Sequence, residues 1–388
     1  MNRFETLSYI FFLSAIFFTS VSSYLVIPLL IISLFFLFLA REKISLNLLD
    51  KIQLTLFCSF LLSSAFAFYK LDSFIYTSVF LLYLVSYFMA KSLLNSEYSL
   101  KKLIDALLYS SLILSSIGVI QFLVQTFTDF TVRIKGFTLI ASGRPIESLT
   151  TNPLHLVFFL NFTLPLFIIA IFKNYKKILA SIATILSVFV LLITTLSTSR
   201  GAFVGFFCSL LLIFIILKKK IILLVIGFSV LFIFIAKPAR VRFFHATRGT
   251  SYEMRVATNK AALKMWKEHS ILTGVGGSNF HKLKVDYEVS GDQKLLRRTH
   301  NLYTSLLVEN GILGLFIFLA IFGILIIYLY QIFKAGLGFQ SIFSLGLLAS
   351  FTYFLIHNMV STTHDIVRFG ILVWAEMGIV SAMRDTMY

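Results

Sequence analysis

The chain has 388 residues, 58% of them hydrophobic, 44 of them Phe and only 13% charged; its mean hydropathy of +0.92 excludes a water-soluble domain and places it among polytopic membrane proteins. The formal net charge of +17 does not signal nucleic acid, because the lysines gather in short loops between apolar runs, the distribution that orients helices in a bilayer. Both cysteines, Cys58 and Cys208, fall inside apolar runs, which excludes a disulfide framework and a cysteine metal site and casts them as buried packing residues.

A bilayer core about 30 Å thick requires roughly 20 apolar residues in a helix. On that template the expectation is about 12 transmembrane helices in an all-α protein. Five come first, at 6–22, 25–40, 52–69, 73–94 and 101–127. The first run follows Arg3 like a signal peptide, but no small-residue cleavage site follows it and a second apolar run begins at once, so it reads as a retained helix. A polar segment, 128–151, precedes four more spans at 153–172, 178–197, 201–217 and 221–236, the first of these opening with Asn152-Pro153. A second polar segment, 237–300, precedes the last three, at 301–330, 340–357 and 366–383. No repeat or low-complexity tract interrupts them, so residues 1–388 read as a single membrane domain.

Alternate short loops carry the basic residues: Arg41, Lys43 and Lys51; Lys91, Lys101 and Lys102; Lys173, Lys176 and Lys177; Lys218 to Lys220; then Lys334 and Arg384. The positive-inside rule therefore puts both termini in the cytoplasm, and the 128–151 and 237–300 segments outside as periplasmic loops. Arg200 and His300 fall on that same outer face. Within the larger loop, Ser251 to His269 reads as a helix with Met254, Ala257, Ala261, Leu263, Met265 and Trp266 on its apolar side. Such a helix lies along the membrane surface or roofs a cavity.

The candidate chemistry begins with His300, where a polar loop meets a long apolar helix. Its imidazole has a reference pKa near 6.5, so it accepts a proton from a hydroxyl at neutral pH; the alternative is an interfacial histidine that caps the helix. Asn301 follows it, and Tyr303, Thr304, Leu307 and Gly311 fall on the face that His300 begins, which would line a cavity. Glu309 is about half a turn away from His300 and needs a partner on a neighbouring helix. Arg200, in Thr198-Ser-Arg-Gly201, suits a phosphate fork as well as it suits a headgroup contact. Arg240, Arg242, Arg248, Arg255, Arg297 and Arg298 extend the same choice between diphosphate and anionic lipid. Gly274-Val-Gly-Gly277 is an anion-binding turn or a plain one, with Gly276 at its centre. Asp286-Tyr-Glu288 has no metal-binding surroundings, and His281 lies too generically near it to add any, so a metal-independent reaction without cofactors is expected.

Three stretches together resemble the bacterial O-antigen ligase and O-antigen polymerase family of integral-membrane glycosyltransferases. They are Thr198-Ser-Arg-Gly-Ala202; Arg255 through Lys260-Ala-Ala-Leu-Lys-Met-Trp266 to Gly274-Val-Gly-Gly-Ser-Asn-Phe280; and His300-Asn-Leu-Tyr303 with Glu309-Asn-Gly-Ile-Leu-Gly-Leu315. The resemblance covers roughly residues 195–315 and implies a bacterial inner-membrane enzyme that works at its periplasmic face. It implies a donor glycan on undecaprenyl diphosphate and, in the ligase reading, an acceptor hydroxyl on lipid A–core oligosaccharide. It also implies His300 as base or acceptor-orienting group, and Arg200 and Arg255, with Arg242 and Arg248, as diphosphate ligands supported by Asn301, Tyr303 and Gly276. The alternatives are a polysaccharide polymerase of that family and, in another class, a twelve-helix transporter of lipid-linked glycan. Against the transporter, the polar residues gather at one interface and the two halves look unrelated.

Overall fold

The computed structural model describes residues 3–40, 45–127, 132–134, 137–140, 146–150, 152–198, 200–235, 250–287, 298–336, 338–363 and 366–387. The first helices are α1 (Arg3–Phe18), α2 (Ser23–Ala40), α3 (Leu48–Ala65), α4 (Lys70–Leu93) and α5 (Glu97–Phe127). After them come α6 (Pro153–Phe172), α7 (Lys177–Thr198), α8 (Arg200–Leu217), α9 (Lys220–Ile235) and α10 (Thr250–Glu268). The remainder are α11 (Phe280–Leu283), α12 (Leu302–Lys334), α13 (Gly338–His357) and α14 (Val367–Asp385). The chain is thus an all-helical, multi-pass membrane protein. Among the described residues, the departure is an antiparallel ribbon of β1 (Val132–Ile134) and β2 (Phe137–Ile140) within the 128–151 segment.

A helix occupies each of the twelve places where a span is expected, and nine of them, among the described residues, are long and apolar enough to cross a bilayer. The others fall short for physical reasons. At 16 residues each, α1 and α9 are only about 24 Å long at 1.5 Å per residue. Arg368, Glu376, Arg384 and Asp385 make α14 the most polar of the twelve. Large apolar side chains point outward, Phe38 at 77% and Phe316 at 71% exposure, as lipid-facing surface requires. Cys58 joins them: it is exposed and Cys208 half-buried, so the expectation that both are buried packing residues fails.

The helices gather in two units. The first comprises residues 1–41, 96–245 and 332–357. At its centre α6 is buried from Leu156 to Ala170 without a break, as a helix apolar on every side must be. Asn152 caps it, its side chain accepting from Leu154 N at 2.8 Å, and Pro153 supplies the helix-ready first position. Against α6 pack α7 and α13, with α8 along α13. Gly205 lets α8 approach closely, since a Cβ there would stand 2.8 Å from the ring of Tyr353.

The second unit comprises residues 42–95, 246–331 and 358–388. Its frame is α14 packed along α4, with α3 beside α4. Gly378 and Gly370 permit the α14–α4 contact, because a Cβ on Gly378 would reach the Tyr87 carbonyl at 2.1 Å and one on Gly370 the Tyr83 ring at 2.2 Å. On α10, Ala262 and Met265 are buried in a small core with Val275, Phe280, Leu283 and Val308. That core packs α10 within this unit but leaves Leu263 exposed, which corrects its place on the expected apolar side: one residue past Ala262 is about 100° round the helix and off the packed face.

Candidate active site

The amino end of α12 is organised by its preceding residues. Asn301 caps the helix, its side-chain oxygen accepting from Tyr303 N at 2.9 Å and Thr304 N at 3.1 Å. Leu302 N donates to the Asn358 carbonyl at 2.9 Å, and the Asn358 side chain in turn accepts from the backbone and hydroxyl of Thr363, both at 2.9 Å. Thr299 closes the turn with its hydroxyl on the Asn301 carbonyl at 2.9 Å. From α10, Asn259 Nδ2 donates to the Thr299 carbonyl at 3.1 Å and to the Arg255 carbonyl at 2.8 Å. The consequence falls on the residue between Thr299 and Asn301: His300 is held at φ 52°, in the left-handed region, which a non-glycine residue occupies only when its surroundings impose it.

His300 is half-buried. Its pKa is lowered from the ordinary 6.5, first by burial, then by the guanidinium groups of Arg255 and Arg298. The imidazole is therefore neutral at pH 7 and able to take a proton, with two permanent positive charges beside it. Arg255 is itself half-buried and reaches the Val360 carbonyl through Nη1 at 3.5 Å. Sequence reasoning placed Arg255 correctly on the loop helix but could not bring Arg298 to the imidazole's field.

Farther along α12 the helix is broken at Gly311, whose φ 67° and ψ −172° are not helical. The 271–276 turn lies in the break. Val275 N donates to the Val308 carbonyl and Gly276 N to the Glu309 carbonyl, each at 2.9 Å, while Ile312 N donates to the Ile271 carbonyl at 2.9 Å. A Cβ on Gly311 would sit 2.1 Å from the Leu272 oxygen, and one on Gly276 2.2 Å from Ala67 Cβ. Only glycine fits either place. Of the two readings open for Gly274 to Gly277, the interlocking turn accounts for the amides of Val275 and Gly276, which are spent on α12.

A cavity of about 150 Å³ opens in the second unit beside this junction. Its polar lining is Ser278, His281, Arg298, Thr299, Ser305 and Glu309. The α12 face on the cavity is thus that of Ser305, Leu306 and Glu309, not the expected stripe of Tyr303, Thr304, Leu307 and Gly311. The expectation ran an unbroken helix onward from His300; the left-handed residue and the Asn301 cap start the helical phase afresh. Glu309 is nearly buried, at 8% exposure, and its carbonyl also accepts from Ser63 Oγ at 2.8 Å.

His281 is the residue that sequence reasoning passed over. Its Nδ1 lies 2.6 Å from the Ser278 carbonyl, which can only accept, so Nδ1 is the donor of that bond and carries a proton. The five-residue spacing to Asp286 carried no hint of this. Arg200 opens α8 in the first unit with an exposed side chain. Arg242 and Arg248 lie outside the described residues, as do Arg240, Arg297 and Glu288. Among the described residues, no group of three His, Cys, Asp or Glu side chains is assembled as a metal site.

Residues 182–319 match the family model described as O-Antigen ligase. The match contains Arg200, Arg255, the 271–276 turn, His300 and Glu309. Comparison with curated proteins finds no match.

Proposed function

Because residues 182–319 belong to the O-antigen ligase family, we propose that this membrane protein is a glycosyltransferase that moves a glycan from undecaprenyl diphosphate to a hydroxyl of lipid A–core oligosaccharide at the periplasmic face of the bacterial inner membrane. The observation that carries the reading is the neutral His300, held in left-handed backbone beside Arg255 and Arg298. The acceptor hydroxyl gives its proton to the imidazole as its oxygen attacks the anomeric carbon. The bond from that carbon to the diphosphate oxygen breaks, and the diphosphate departs with the bonding electrons. Guanidinium groups at a site poor in water stabilise the departing charge most strongly in the transition state. Arg255 holds the diphosphate, and the resemblance adds Arg200, Arg242 and Arg248 as candidates for the same role. The leaving group is already stable as an anion, so the step requires no metal.

The test is transfer by the purified protein in detergent, supplied with lipid-linked glycan donor and lipid A–core acceptor. Product in which the glycan is joined to the core supports the ligase. Longer glycan on the donor lipid, made without core acceptor, selects the polymerase reading of the same site. Movement of donor lipid across a vesicle bilayer with no transfer would replace both with the transporter. In the same assay Arg200→Lys should lose most activity, since an ammonium cannot fork onto a diphosphate; full activity would remove Arg200 from the site.

A further inference from the structure

We infer that the second unit's cavity is a sugar subsite that takes one pyranose ring of the glycan substrates, an assignment that rests on the transferase reading above. Size is the first argument. A cavity of about 150 Å³ is the volume at which a protein interior accommodates a single six-membered ring.

The lining is the second. Phe60, Tyr76, Phe80, Tyr83 and Trp374 form one side, and they brace one another. Phe80 meets Trp374 edge-on at 5.3 Å, Tyr83 lies 5.3 Å from Trp374, and Tyr76 lies 6.2 Å from Phe60. The indole N–H of Trp374 is occupied by Gln53 Oε1 at 3.1 Å, so the ring is fixed and offers the cavity its apolar surface. The rest of the lining carries hydrogen-bonding groups. Ser305 and Glu309 come from α12, Arg298 and Thr299 from the turn that ends at His300, and His281 from α11.

A pyranose has just these two characters, an apolar face of ring C–H groups and a rim of hydroxyls that both donate and accept. An isoprenoid or acyl chain would match the aromatic residues alone and set hydrocarbon against the polar side chains of Ser278, His281 and Ser305. Arg298 and Thr299 precede His300 directly in the chain, so a ring bound here lies against the turn that carries His300.

The chain has two tryptophans, so Trp266→Phe leaves Trp374 as the only indole reporter. In that background, methyl α-glycosides of glucose, galactose and N-acetylglucosamine are titrated at millimolar concentration, and geraniol is titrated in parallel. At least one glycoside should change Trp374 emission saturably, and Ser305→Leu, which fills the cavity with an apolar side chain, should abolish the change. In the reconstituted transfer assay Ser305→Leu should raise KM about tenfold with a smaller change in kcat. A rise for acceptor assigns the ring to the acceptor, and a rise for donor assigns it to the donor. No saturable response to any glycoside, a response to geraniol alone, or unchanged KM for both substrates would overturn the subsite. Transfer by a wild-type protein that binds no glycoside would sink the subsite and leave the enzyme standing, whereas glycoside binding without transfer would do the reverse.

Discussion

At one end of the second unit, where α3 begins and α4 and α14 finish, Asp50 accepts from the Tyr87 hydroxyl at 2.5 Å and the Ser381 hydroxyl at 2.7 Å, and pairs with Lys91. Lys91 also meets Asp385 at 2.7 Å and the Ser45 carbonyl at 2.7 Å, and Asn47 donates to Asp385 and Ser381, each at 2.8 Å. Elsewhere in the same unit, His300 sits in left-handed backbone, neutral beside two arginines, next in the chain to the cavity-lining Arg298 and Thr299. The first cluster ties its two carboxylates to one ammonium and to hydroxyl and amide donors, as a buried polar network must to hold a membrane scaffold together. The second keeps its strain at a residue whose neutral imidazole can take a proton, and strain of that kind collects at functional sites.

Substitutions in the two regions should therefore separate activity from stability. The largest effect belongs to His300→Ala, which should lower transfer by about 10²- to 10⁴-fold, the usual contribution of a positioned base, with the protein still inserted; a rate near wild type would remove the base. The pH profile sharpens the same point. Because burial and the arginines hold the His300 pKa below 6.5, kcat/KM should stay flat through neutral pH and fall only as pH drops through that lowered value. The associated stability runs in the same direction: it is fully present above the ordinary pKa and lost as pH falls through the folded one.

Next comes Lys91→Ala, which leaves Asp50 buried and uncompensated. It should cost about 3 to 5 kcal/mol of stability, read as a lower Tm in detergent, while the kcat of the surviving folded fraction stays close to wild type. A variant equally stable but slow would erase the distinction between the regions. Gly311→Ala should cost about 1 to 3 kcal/mol, because its φ is 67° and its Cβ would meet the Leu272 oxygen, and it should reduce transfer as the 271–276 turn is displaced. The smallest change is Asn301→Ala, about 1 kcal/mol through loss of the α12 cap. Its signature is a shift of the pH profile toward that of an unstrained histidine, as His300 relaxes.

Much of the frame was legible in the chain. The twelve apolar runs, the Asn152-Pro153 start of α6, the loop helix at 250–268 and the His300-Asn301 start of α12 are all local, written in hydropathy, in capping side chains and in a 3.6-residue period. The candidate site was legible in part, with His300 and Arg255 visible as residue types at a helix boundary. The cavity face of α12 was misread as Tyr303, Thr304 and Leu307, since a periodicity argument carries the phase across a break that it cannot see.

What the amino-acid sequence determined by itself is which segments leave water for lipid and where each helix starts, because those choices depend on neighbours a few positions away. The tertiary structure alone decided that Gly311 breaks its helix to receive the 271–276 turn, that Asn259 tethers the strained turn at His300, and that His281 and Glu309 face one cavity with Trp374. Those contacts join residues tens of positions apart, and their energy exists only once the helices have packed.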